Sequence, residues 1–163
     1  MARIVFAICL VLTALIQATV LPELDVIEVL PDVTLVLLLV WSALRGTAEG
    51  LIWAFALGMF IDVLSLDPLG TNALALLPVV LMGGVARRRF FHNTLILPLV
   101  LAVAATMVHA VVLLLFRSGE GAGLPLSSVI RLVVLQSLLN VLFVPPCYVI
   151  ARWMERRMIS TRR

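Results

Sequence analysis

Charged residues in this 163-residue chain fall almost entirely in short connectors between long apolar runs, and this limits the possible folds more than any motif does. The runs are apolar all round, whereas a helix on a soluble domain keeps a polar face toward water. Only 13% of residues are charged and 63% are hydrophobic, against about a quarter charged and half apolar in a soluble domain. An all-α integral membrane protein is the expectation. A membrane barrel would alternate apolar and polar residues, which these runs do not do.

Six apolar segments are expected to form one six-helix transmembrane domain over 1–163, with spans at about 4–21, 31–44, 50–66, 71–86, 94–116 and 127–150. The first run is too long for a signal-peptide core of 7–15 residues and reads as a retained helix. The second is short for the roughly 20 residues of a span, so it either borrows 26–30 or sits where the bilayer thins. The sixth is expected to break at Pro145-Pro146.

All twelve basic residues are arginine. With the N-terminus inside, ten of the twelve are cytoplasmic, leaving Arg117 and Arg131 outside. The positive-inside rule therefore puts both termini in the cytoplasm. Nucleic-acid binding is not expected, since the arginines lie in connectors and at chain ends. The tail "ARWMERRMISTRR" suits anchoring at anionic headgroups. Cys9 and Cys147 sit within apolar runs and read as small hydrophobes.

Within the third segment, "GLIWAFALGMFID" ends in an acid, Asp62, that lipid would not accept. A carboxylate exposed there costs about 2–3 kcal/mol or more, so it must face protein or a wet cavity. Gly46, Gly50, Ala54, Gly58 and Asp62 recur every fourth residue, a small-residue ridge that lets another helix backbone approach. The third segment is therefore expected at the bundle's centre, its ridge packed internally rather than on a partner. Arg131, His109 and Gln17 are candidate companions of Asp62 in an outer-leaflet polar cluster, with an Asp62–Arg131 pair as the specific expectation. Gln136 and Asn140, one turn apart, are expected to hydrogen-bond between helices. No triad, metal-spaced cluster or phosphate loop is visible, so neither enzyme activity, cofactor nor metal is expected.

The stretch 30–75 carries Pro31-Asp32, Arg45-Gly46, Gly58 with Asp62, and Pro68-Leu69-Gly70. In order and spacing these motifs resemble the bacterial rod shape-determining MreD family, with Gly58, Asp62 and Gly70 carried across as motif positions. The resemblance implies a non-enzymatic subunit of the cell-elongation machinery in the inner membrane. Its implied partners are MreC and, through it, MreB, RodA and the elongation transpeptidase, in support of peptidoglycan synthesis. It also implies a fold like the substrate-binding subunits of energy-coupling-factor transporters.

Two functional expectations follow. The first is a membrane scaffold binding MreC through helix faces or loops. The second is a small-solute-binding transporter subunit, for which Asp62, Asn72, His109 and Asn140 would converge on a pocket. A lipid-binding or flipping protein, resting on Asp62 and the arginines alone, is a weaker third.

Overall fold

The computed structural model describes residues 2–20, 30–87, 96–117 and 126–160. The acidic connector after Leu21, the bulk of "RRRFFHN" and the glycine-rich loop lie outside the described residues. Among the described residues there are six α-helices: α1 (Ala2–Leu15), α2 (Val33–Arg45), α3 (Thr47–Ser65), α4 (Thr71–Ala86), α5 (Ile96–Arg117) and α6 (Leu126–Ser160). A π turn over Ile16–Val20 extends α1. Three apolar segments, Thr47–Ser65, Ile96–Phe116 and Ser127–Trp153, are long enough to cross a membrane; the other three are shorter.

The centre belongs to α2 and not, as expected, to α3. Every residue from Thr34 to Leu44 is buried, whereas α3 buries only Gly50, Ala54, Leu57, Gly58 and Asp62. At 13 residues α2 is about 20 Å long, well short of the roughly 30 Å hydrocarbon core. Protein surrounds it, so its length need not match the lipid. Small residues report close approach on one face, which a peripheral helix also makes; burial on all faces is what marks a central one.

The ridge on α3 packs internally. A Cβ on Gly58 would lie 2.2 Å from the Ala73 Cα, and one on Gly50 2.7 Å from Val80 Cγ1 and 2.8 Å from Ser42 Cβ. The α3 and α4 backbones therefore nearly touch. From α4, Gly83 meets α2, where a Cβ would come within 2.6 Å of the Leu39 carbonyl oxygen. Small side chains at three contacts thus bring α2, α3 and α4 together, the route by which helices gain dispersion energy in lipid. On the other side of α2, Phe6 of α1 stacks on Trp41 at 3.7 Å between ring centroids, and Trp53 meets Phe6 edge-on at 5.8 Å.

Two turns set the antiparallel order. Gly46 (φ 98°) ends α2, its N–H donating to the Ser42 carbonyl at 2.8 Å. Leu66 (φ 56°) closes α3 in the left-handed region. The sixth helix runs unbroken through Pro145 and Pro146, contrary to expectation. Each proline removes one N–H donor, but the turns on either side keep theirs, and the helix continues.

Outward-facing apolar residues cover the bundle, among them Ile52, Phe55 and Val63 on α3, Val100 and Val111 on α5, and Leu138 and Leu142 on α6. A patch of this extent on a soluble monomer would be unusual; in lipid it is the ordinary surface.

Candidate functional site

Asp62 lies in the last turn of α3, fully buried, and its partners come from the turn that follows it. The Gly70 N–H donates to Oδ2 at 2.7 Å; the Asn72 N–H and side-chain amide both donate to Oδ1 at 2.8 Å. Asp62 therefore caps α4 from the preceding helix, satisfying N–H groups that a helix start leaves without partners. A carboxylate is also favoured by the positive end of the helix dipole. Gly70 permits this at φ 98°, a backbone conformation in which other residues are strained. Asn72 extends the joint by donating to Asp67 Oδ2 at 3.2 Å.

The expected Asp62–Arg131 pair does not form. Arg131 is exposed on α6, while both Asp62 oxygens are held by α4. The pairing guess matched opposite charges by depth alone. Local N–H groups eight and ten residues away are closer, and being fixed in the chain they cost less entropy to gather than a distant arginine.

A second joint centres on Asp32. Its Oδ1 accepts the Leu35 N–H at 2.9 Å and so caps α2. The Asp32 N–H donates to Asn140 Oδ1 at 2.7 Å, and Asn140 Nδ2 donates to Thr106 Oγ1 at 2.9 Å. Thr106 in turn donates to the Ala102 carbonyl at 2.8 Å. One continuous chain of bonds ties the start of α2 to the middles of α6 and α5. His109 Nδ1 lies 3.8 Å from Asp32 Oδ2. Gln17, on the π turn, donates to the Pro31 carbonyl at 2.8 Å and accepts from the Thr34 hydroxyl. This fixes α1 to α2.

These two joints share a cavity. A lobe of about 220 Å³ is lined by Gln17, Asp32, Thr34, Asn72, His109 and Gln136, among others. A neighbouring lobe of about 340 Å³ again meets Asp32, Asn72, His109 and Gln136, with Leu113, Leu114, Leu132 and Val133 as apolar wall. Of the residues named from sequence, Gln17, Asn72, His109 and Gln136 therefore reach the cavity. Asp62 and Asn140 stand behind it as the bonded partners of Asn72 and Asp32. Gly50 and Gly58 serve helix packing, Gly70 the capping turn, and Arg131 takes no part.

Sequence reasoning missed Asp32, Thr34 and Thr106. Asp32 enters the sequence reading as half of the Pro31-Asp32 motif, with no bonding partner named for it, although a Pro-Asp pair before an apolar run is a helix-start signal. Thr106 carried no signal, because only the fold sets it opposite Asn140. Among the described residues no group of three or more His, Cys, Asp or Glu could hold a metal.

At the opposite end, Arg45 lies over the Trp41 ring at 5.5 Å, and the Arg87 guanidinium rests against the Gly46 turn. Arg45 and Arg87 thus stand at one end of the bundle, and the bonded carboxylates and amides of the two joints at the other.

No curated protein and no solved structure matches the chain. The family model described as rod shape-determining protein MreD matches residues 1–154, nearly the whole bundle including both polar joints and the α3 ridge, and the chain belongs to that family.

Proposed function

We propose that this chain, whose family acts in rod-shape determination, is a non-enzymatic scaffold of the bacterial cytoplasmic membrane. In this reading it binds MreC and, through MreC, joins MreB, RodA and the elongation transpeptidase in support of peptidoglycan synthesis. The family match over 1–154 carries the reading. The structure is compatible with it, because Asp62, Asp32, Asn140 and Gln17 are engaged in holding helices together. Partner binding then falls to the outward faces.

Six crossings with both termini in the cytoplasm fit the alternating helix directions and the arginines at one end of the bundle. That end faces inward under the positive-inside rule. Short helices α2 and α4 cross within the protein, not as isolated lipid-facing spans.

Photocrosslinking in cells from Ile52, Phe55 and Val63 on α3, and from Leu138 and Leu142 on α6, tests the scaffold. Capture of MreC from one face and not the other is expected. Absence of any protein neighbour from both faces would end the reading.

A small-solute-binding transporter subunit is the second reading, and the cavity favours it. Its two lobes bring Asn72 and His109 together with Asp32, the mixed polar and apolar lining that solute sites use. Purification with a bound vitamin-sized molecule would support it over scaffolding alone.

A further inference from the structure

Not every polar group around the cavity serves a joint. Asp32 lines both lobes, and only its Oδ1 accepts a hydrogen bond from a described residue. Its Oδ2 faces His109 Nδ1 at 3.8 Å, too far for a hydrogen bond. Gln136 also lines both lobes, and its carboxamide forms no hydrogen bond with another described residue. It sits one helical turn before Asn140, which is bonded to the Asp32 N–H. The two groups are therefore neighbours across the same space.

The electrostatics there favour one sign. Behind Asn72 stand Asp62 and Asp67, at 2.8 and 3.2 Å from its amide nitrogen. Among the described residues no arginine lines either lobe. An anion entering would meet Asp32 with two further carboxylates behind Asn72, and His109 as the basic side chain in the lining. A neutral molecule could satisfy Gln136 but would leave Oδ2 with only His109 beside it, beyond hydrogen-bond distance. A primary ammonium supplies up to three donors and the opposite charge, and charge-assisted bonds of this kind are the stronger ones.

The rest of the lining is apolar, from Leu113 and Leu114 on α5 and Leu132 and Val133 on α6. Beyond His109, α5 continues about 12 Å to Arg117, long enough to flank a short alkyl chain. We infer that this cavity binds a primary-amine amphiphile, with its ammonium on Asp32 Oδ2 and the Gln136 carbonyl and its apolar part between α5 and α6. A free amine and an aminolipid headgroup share this chemistry. Occupancy is compatible with a scaffold as much as with a transporter subunit.

The test uses the full chain in phosphatidylcholine nanodiscs, with Cys9 and Cys147 replaced by alanine and a thiol introduced by Ala110→Cys in the second lobe. Alkylation rates are measured with n-hexylamine, n-hexanol or hexanoate at equal concentrations. Hexylamine should slow labelling about fivefold, as a mostly occupied site requires, and hexanoate less than about twofold. Asp32→Asn keeps an oxygen to cap Leu35 but removes the charge, and should erase the advantage of hexylamine over hexanol. Gln136→Leu, which touches no joint, should reduce the hexylamine effect and serves where Asp32→Asn does not fold. Slow labelling in phosphatidylethanolamine nanodiscs without added solute would identify the lipid as the source; unslowed labelling there, with hexylamine still protective, would identify a free amine. Equal protection by hexylamine and hexanoate, or an amine preference that survives both substitutions, would overturn the assignment. MreC capture from α3 or α6 does not depend on the outcome, so the scaffold reading stands or falls separately.

Discussion

Replacing Asp62 by alanine removes the acceptor for three donors at once: the Gly70 and Asn72 N–H groups and the Asn72 amide. Loss of a helix cap costs about 0.5–2 kcal/mol in soluble proteins. A hydrogen bond to a charged acceptor is worth about 1.5–3 kcal/mol there. Inside a bilayer the unfolded helices also find partners, so side-chain bonds between helices average nearer about 0.6 kcal/mol. Asp62 is fully buried, so water does not replace the lost acceptor. Taking the cap value for the two N–H groups and the lower value for the Asn72 amide gives about 1–3 kcal/mol for Asp62→Ala. Asp62→Asn keeps Oδ1 for the Asn72 donors but turns an NH₂ toward the Gly70 N–H, for about 1–2 kcal/mol. Reversible unfolding by SDS in mixed micelles, followed by tryptophan fluorescence, measures both. The expected order of stability is parent, then Asn, then Ala. An alanine variant within about 0.5 kcal/mol of the parent, the scatter expected of an uninvolved position, or an Asn variant weaker than Ala would refute the capping account.

Arg131→Ala should leave unfolding unchanged in the same assay, because Arg131 is exposed and Asp62 is satisfied without it; a loss like that of Asp62→Asn would restore the ion pair. Gly58→Ala places a methyl carbon 2.2 Å from the Ala73 Cα, where the two nearest atoms are backbone, and should cost about 2–3 kcal/mol from overpacking. Gly70→Ala meets no atom within 4 Å, so its smaller loss of about 1 kcal/mol would come from φ alone. A double-mutant cycle of Asn140→Leu with Thr106→Val should give a coupling of about 0.6–1.7 kcal/mol, and additive losses would remove the bond between α5 and α6. Phe6→Ala, which deletes the ring stacked at 3.7 Å on Trp41, should loosen α1 and raise alkylation of Cys9 about tenfold, a shift of roughly 1.4 kcal/mol in local opening.

Periodicity and chemistry made much of this protein legible in its sequence. Apolar runs with no wet face require helices inside a nonaqueous solvent, and Gly50, Ala54 and Gly58 at four-residue spacing specify a close helix contact because side-chain size is local information. The same holds for the need of a buried acid to find partners. Which partners it found was a matter of three-dimensional proximity. Asp62 turned to the first N–H groups of α4, since a tight turn places them within reach. Opposite charge at similar depth was no guide to contact.

Tertiary structure alone decided that the 13-residue α2 is the enclosed one. A short apolar run reads the same whether lipid or protein surrounds it, and only the packing of its neighbours distinguishes the two. It also decided that Thr106, unremarkable on its own helix, completes the chain from Asp32 through Asn140. Hydrogen bonds between segments far apart in sequence depend on helix rotation and depth, and those are set by how all six helices fit together.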